Sequence, residues 1–199
     1  MCAEDNFKLP PMLFTSKILV VLKLVLGIFL EVPASVWLPS LKILHLEREK
    51  EDSFQSLFLG CPALEEMYLW TLDTKWVLNI FVPTRKSLTF ICPRKYSRDG
   101  IDDQGCKVVF NTPKLEELDL IDYVSEDHGV ENLPSLLTAM VNVLLDSITR
   151  PNNYHGHIYK LLSSMKNVKF LDAFLSFPTD DNTPVLPTLH NLSHLTLTT

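Results

Sequence analysis

The sequence predicts an α/β fold: a leucine-rich-repeat solenoid with a curved parallel sheet on its concave face and irregular or short helical returns. Segments of one shape recur along the chain, among them LPSLKILHL (38–46), CPALEEMYL (61–69) and TPKLEELDL (112–120). The end of each segment alternates apolar and polar residues, which is typical of a strand with one buried face. Recurrence at a fixed interval is the signature of stacked repeats rather than of isolated strands.

The apolar pattern LxxLxL begins eight times in the chain. Its starts lie 21 to 32 residues apart, and five of the seven intervals fall within the range of about 20 to 29 residues of leucine-rich repeats. We expect insertions in the two longer intervals. The fourth and sixth units are degenerate, with Arg85 and Ala139 at motif positions. The eight motifs begin at Leu19, Leu41, Leu64, Arg85, Leu115, Leu136, Val168 and Leu192.

The segments between strands favour short helices or loops. DSFQSLFLG (52–60) predicts a helix with Asp52 or Ser53 as N-cap and Gly60 as its stop, and GHIYKLLSSM (156–165) predicts a second one. The polar run 93–105 predicts a projecting loop. Proline two residues before a motif can end the preceding segment without removing a hydrogen bond from a strand centre. It occurs at Pro39, Pro62, Pro83, Pro113 and Pro134.

Composition argues against several classes of protein. The 199 residues carry a net charge of −6, so the chain has no general attraction for nucleic acid. Four cysteines without a CxxC pair fit a reducing compartment, and we expect a cytoplasmic or nuclear location. The apolar run 18–30 has 13 residues, which is too short for a spanning helix of about 20. We therefore expect no membrane role.

No arrangement of catalytic, cofactor or metal residues stands out. GIDDQGCK (100–107) departs from a phosphate loop because Cys-Lys replaces Lys-Ser/Thr and two aspartates lie inside it. The histidine pairs 155/157 and 190/194 have no clear third ligand nearby. A solvated loop is the simpler interpretation of the basic cluster Arg94, Lys95 and Arg98, and Cys61 is interpreted as a small buried residue. We expect no enzyme, no cofactor and no metal.

Several segments resemble the leucine-rich region of plant F-box proteins, especially the group with an FBD domain after the repeats. They include LEVPASVWLPSLKILHL, DSFQSLFLGCPALEEM, SLTF, VVFNTPKLEELDLIDY and LLSSMKNVKFL, and the resemblance covers about residues 16–199. It implies that the repeats hold a protein to be ubiquitinated, while an F-box binds the Skp adaptor of a cullin ligase. The segment 1–17 contains no recognisable F-box, nor is an FBD domain evident. We therefore divide the chain into 1–17 and a repeat domain of 18–199.

Residues between the inward leucines are expected to face outward on the concave sheet. They combine aromatic side chains with carboxylates, as protein interfaces do. The predicted partner-binding face consists of His45, Glu47, Tyr68, Trp70, Thr89, Asp119, Phe170, Asp172, Phe174 and His194.

The leading hypothesis is a protein-binding module, resembling the substrate-recognition part of an F-box ubiquitin ligase. It would bind a protein on the concave face, and the Skp adaptor only if a docking element exists. The alternatives are a truncated fragment without independent activity and a generic leucine-rich scaffold unrelated to ubiquitination.

Overall fold

The computed structural model describes residues 7–25, 28–29, 32–48, 54–71, 77–81, 86–93, 96–97, 100–101, 107–122, 127–130, 133–143, 154–175 and 186–198. The strands there are β1 (Phe7–Lys8), β2 (Val21–Leu24), β3 (Ile28–Phe29), β4 (Ile43–Arg48), β5 (Glu66–Thr71), β6 (Val77–Phe81), β7 (Ser87–Cys92), β8 (Tyr96–Ser97), β9 (Gly100–Ile101), β10 (Lys107–Asn111), β11 (Glu117–Asp122), β12 (Asp127–Val130), β13 (Thr138–Val143), β14 (Phe170–Leu175) and β15 (His194–Thr198). The helices are α1 (Phe54–Leu59), α2 (Tyr154–Ser163) and a 3-10 helix, Pro11–Thr15.

Eight parallel strands form the main sheet, in the order β2, β4, β5, β7, β11, β13, β14 and β15. Each contains the last two apolar positions of one predicted motif, so the predicted parallel solenoid sheet is confirmed. The register stacks equivalent positions: Leu44 pairs with Met67, and Leu88 pairs with Leu118. The inward side chains at these motif positions in the first seven strands, from β2 to β14, are buried in one continuous core.

A proline turn precedes four of these strands. Pro39, Pro62, Pro113 and Pro134 each occupy the second position of a four-residue turn, closed by an N–H to carbonyl hydrogen bond of 3.0 to 3.2 Å. Proline is favoured there because its ring presets the φ angle that the turn requires. Pro83 lies outside the described residues. The prolines therefore shape the turns that lead into these four strands.

A backbone ladder joins neighbouring units just after the turn. One carbonyl oxygen in each unit accepts hydrogen bonds from two consecutive N–H groups of the next unit, at 2.8 to 3.1 Å. Lys42, for example, accepts from Glu65 and Glu66, and Glu65 accepts from Lys86 and Ser87. The arrangement occurs seven times, at Val20, Lys42, Glu65, Lys86, Glu116, Leu137 and Lys169. It fixes the register at the start of every strand after β2 in the main sheet.

The returns on the opposite side of the core are partly helical and partly extended. Helices α1 and α2 form where helical returns were expected, although the proposed caps Asp52 and Ser53 lie outside the described residues. Strands β6, β10 and β12 differ from the expected irregular returns, because they pair in parallel as a second sheet. Ile80 and Phe110 are paired in it and buried. Apolar β-favouring residues such as these gain from pairing over the core.

The predicted projecting segment 93–105 contains a short antiparallel pair, β8 with β9. The basic cluster Arg94, Lys95 and Arg98, and most of the loop before Lys107, lie outside the described residues.

The segment directly after α1 lies very close to the preceding repeat unit. Gly60 is buried, donates its N–H to the Ser56 carbonyl at 3.0 Å, and accepts from the Leu38 N–H at 2.8 Å. A β-carbon added to Gly60 would lie 2.6 Å from both the carbonyl oxygen and Cγ1 of Val36. Gly60 thus allows two consecutive returns to touch through their backbones.

The two ends of the main sheet differ in how well the core is covered. Beside β2, Phe14 of the 3-10 helix is fully buried, and Leu9 and Leu13 pack against the core. In β15 the inward leucines Leu195 and Leu197 remain 50% and 42% exposed. The apolar run 18–30 contributes β2 and β3. No helix within the described ranges is long and apolar enough to cross a membrane.

Candidate binding face

The face of the main sheet that points away from the core is named here the open face. It consists of alternate residues of the sheet strands, as the burial of β5, β7 and β11 shows: each inward residue is buried and each outward one is half-buried or exposed. All ten residues of the predicted partner-binding face lie on it. Pairing of like positions arranges the outward side chains in straight rows across the strands.

Three such rows cross the main-sheet strands from β4 to β15. The first contains Ile43, Glu66, Ser87, Glu117, Thr138, Phe170 and His194; the central row contains His45, Tyr68, Thr89, Asp119, Met140, Asp172 and Thr196; and the third contains Glu47, Trp70, Ile91, Ile121, Asn142, Phe174 and Thr198. The predicted residues of neighbouring units therefore lie side by side, about 4.8 Å apart from strand to strand.

An aromatic and acidic cluster occupies the β4 and β5 part of the open face. The rings of His45 and Tyr68 have centroids 4.0 Å apart and are tilted by 44°, and His45 Nε2 lies 2.8 Å from Glu47 Oε1. Burial raises the pKa of the Tyr68 hydroxyl, and the charges of Glu47 and Asp119 raise it further. Tyr68 thus remains a neutral donor near neutral pH. Half-buried Trp70 pairs with Glu47 in the next row.

Asp119 lies at the centre of the face, between Thr89 and Met140. Its Oδ1 is buried and has no hydrogen-bond partner among the described residues, and burial raises the pKa of its carboxyl group. Asn142 Oδ1, on the neighbouring strand and in the adjoining row, is also buried without a partner there. Two acceptor oxygens near the middle of the sheet therefore lack donors, and such groups are costly to leave unpaired.

The β13 to β15 part of the face is more exposed. Phe170 is 50% exposed, and its ring centroid lies 6.3 Å from that of His194. Asp172 is exposed, while Phe174 is half-buried. Met140, 46% exposed, was absent from the predicted face, as was Asn142. Their unit was recognised only weakly, yet the alternation around buried Ala139 and Val141 indicates both positions.

The other groups considered from the sequence form no site in the described part of the chain. His157 is half-buried in α2, whereas His190 and His194 are exposed. No group of three His, Cys, Asp or Glu residues within the described ranges is placed to hold a metal ion. Cys61 is buried, as interpreted. An apolar cavity of about 110 Å³ lies instead near β14 and β15, lined among others by Leu162, Leu186 and Leu197.

The chain is similar to curated proteins of Arabidopsis thaliana. It is 32% identical over 180 residues to an F-box/FBD/LRR-repeat protein, a match that covers 87% of the chain and 39% of the relative. It is 34% identical over 179 residues to an F-box protein, covering 86% and 51%. A third match, 37% identical over 147 residues, is to an FBD-associated F-box protein and covers 70% and 34%.

No family model matches the chain, and no solved structure is significantly similar to it. In these three matches the chain spans between 34% and 51% of the relative's length. The parallel sheet of leucine-rich units and the similarity over most of the chain agree with each other. By sequence similarity, the chain belongs to the plant F-box/FBD/leucine-rich-repeat family.

Proposed function

We propose that the chain is a protein-binding leucine-rich module that holds its partner on the open face, as the substrate-recognition part of a Skp-cullin-F-box ubiquitin ligase would. The observation that carries the proposal is the composition of that face: aromatic side chains lie beside carboxylates on a sheet surface whose outward residues in β5, β7 and β11 are half-buried or exposed. In a leucine-rich solenoid the parallel sheet lines the concave surface, where such proteins bind their ligands. The F-box/LRR names of the relatives support a general protein-interaction role.

Tyr68 and Trp70 are proposed as the principal anchors. They are alternate outward residues of one strand and both are half-buried, so their rings are already partly held in place before a partner arrives. Preorganised aromatic residues are frequent hot spots, and their truncation commonly costs 2 kcal/mol or more of binding energy. The neighbouring Glu47 and His45 would form a polar rim around them.

The division of the chain into 1–17 and the repeat domain 18–199 remains part of this proposal, as does a cytoplasmic or nuclear location. Binding of the Skp adaptor is proposed only for a protein that carries a docking element. Because the chain spans 34% to 51% of the relatives compared above, the substrate-holding role is assigned to the repeats alone. The proposal includes no catalytic step.

The test is a quantitative pull-down from plant extract with the purified chain, probed for the Skp adaptor and for other captured proteins. A Tyr68→Ala/Trp70→Ala double variant should lose at least tenfold of the specifically captured partner. Trp37→Ala is the matched control, since Trp37 is a 54% exposed tryptophan outside the main-sheet strands, and it should capture normally. Equal capture by both variants would remove the open face from the proposed function.

A further inference from the structure

The open face carries more acids than cations at its outward positions. Among the described main-sheet strands, Lys23 of β2 is the one outward lysine or arginine, and it pairs with His45 at the β2 end of the face. The outward positions from β4 to β15 hold neither residue. Carboxylates occupy five of these positions: Glu47, Glu66, Glu117, Asp119 and Asp172. From β4 to β15 the outward positions of the sheet are therefore acidic, without a lysine or arginine among them.

Three lysines lie along the edge where the strands begin. Lys42, Lys86 and Lys169 occupy the ladder positions, just before the open-face positions in sequence. There they alternate with acids: Lys42 Nζ lies 3.0 Å from Glu65 Oε1. Glu65 is thus paired with a lysine at the edge, whereas Glu66, Glu117, Asp119 and Asp172 have no lysine or arginine among their paired neighbours on the sheet. Glu47 is hydrogen-bonded to His45.

Asp119 shows what kind of group the face lacks. Its Oδ1 is buried without a donor, and the nearby Asn142 Oδ1 is in the same condition, among the residues described. Both atoms are acceptors and neither is exposed, so a ligand would satisfy them only by donating, and only after their side chains turn outward. An ammonium or guanidinium group donates several N–H bonds and also neutralises a carboxylate. Exposed aromatic faces such as that of Phe170 favour cations through their π electrons.

We propose that the open face binds a lysine- or arginine-bearing segment of a partner protein, with one cationic side chain bonded to Asp119 and a second to Asp172. The inference rests on the proposed function and specifies the chemistry of the partner. Charge complementarity selects this occupant, because an acidic segment or a nucleic acid would be repelled by the five carboxylates. Aromatic side chains around the acids supply the apolar contact area.

Fluorescence anisotropy with three labelled peptides tests this: Gly-Arg, Gly-Glu and Gly-Ser repeats of eight residues each. The Gly-Arg peptide should bind with an affinity that falls as salt is added, and the other two should not bind. Asp119→Asn/Asp172→Asn should weaken Gly-Arg binding at least tenfold. The control Glu65→Gln/Glu116→Gln removes the same charge from the strand-start edge and should weaken it less than threefold.

Folding of the variants is checked separately by urea unfolding. Asp119→Asn removes the charge of a half-buried carboxyl group whose Oδ1 has no hydrogen-bond partner among the described residues, so its stability should equal or exceed that of the parent chain. If the double variant fails to fold, Asp172→Asn alone still tests the inference, because Asp172 is exposed. It should still weaken Gly-Arg binding by at least threefold.

Failure to bind Gly-Arg, tight binding of Gly-Glu, or equal weakening by the two charge-matched pairs would overturn the inference. The proposed function fails by a different result, since it depends on Tyr68 and Trp70. If captured plant proteins require these aromatics but are unaffected by Asp119→Asn/Asp172→Asn, the open face binds partners and the cationic assignment is wrong.

Discussion

Gly60→Ala should destabilise the fold, although it adds only one methyl group at the end of a helix. The new β-carbon would lie 2.6 Å from the Val36 carbonyl oxygen, whereas real β-carbons essentially never approach a neighbour closer than 3.0 Å. The two returns must therefore separate by at least about 0.4 Å, the difference between these distances. The contact includes a backbone carbonyl, which cannot rotate away as a side-chain tip can.

The expected cost follows from the packing of that region. Gly60 is buried, and its own carbonyl accepts the Leu38 N–H, so the shift also strains a hydrogen bond between neighbouring turns. Overpacking of this kind costs about 1 to 3 kcal/mol. With a urea slope of about 2 kcal/mol/M, a loss of about 2 kcal/mol lowers the unfolding midpoint by about 1 M.

Urea unfolding followed by circular dichroism measures this shift, with Ser56→Ala as the control because Ser56 is exposed in the same helix. The alternative explanation predicts a change in stability of the opposite sign. If Gly60 only ends the helix and has free space, alanine would restrict the unfolded chain and stabilise the protein by about 0.4 to 1 kcal/mol. A midpoint that stays the same or rises would refute the close-approach argument.

The same position in two units should respond differently to truncation. Leu120→Ala, at a fully buried site, should cost about 2 to 5 kcal/mol, whereas Leu197→Ala, at a 42% exposed site, should cost about 1 kcal/mol; equal losses in urea unfolding would contradict the uneven coverage of the sheet ends. The hydrogen bond from Lys42 and its charge hold the pKa of the Glu65 carboxyl below its ordinary value, so Lys42→Met should raise that pKa in an NMR titration. Because the pKa is lowered in the folded state, any stabilising effect of the pair is present above the ordinary pKa and disappears as the pH falls through the folded one; a titration curve unchanged by the variant would contradict the pairing.

The main sheet was predictable because its information is local. Within each motif, the alternation of apolar and polar residues predicts which side chains of the strand point inward and which point outward. Stacking equivalent motifs then fixes the register, as for Leu88 with Leu118. The second sheet was not predictable in this way. The pairing of Ile80 with Phe110 joins segments 30 residues apart, and neither segment repeats a pattern found elsewhere. The sequence of one return segment alone therefore does not indicate that it will pair with another return as a β-strand.

The open face was likewise predictable in part and unpredictable in part. Its membership followed from alternation, so Tyr68 and Asp119 were identified from the sequence. The missing donor at Asp119 Oδ1 was not, because it depends on what three adjacent strands place around that atom. Gly60 directly follows the last residue of α1, as expected of a helix stop, but its close contact with Val36 of the preceding return was not predictable from its own segment.

The backbone ladder has a consequence for how such a surface can diversify. Its hydrogen bonds join main-chain atoms only, so they do not depend on which side chains the strands carry. The outward positions therefore form a fixed lattice, with about 4.8 Å between strands and about 6.6 Å between alternate residues along a strand. Substitution at one lattice point would therefore change the surface without moving the other points. If the open face holds a partner, as proposed, its specificity would be carried by the outward residues alone and could be altered on an unchanged backbone.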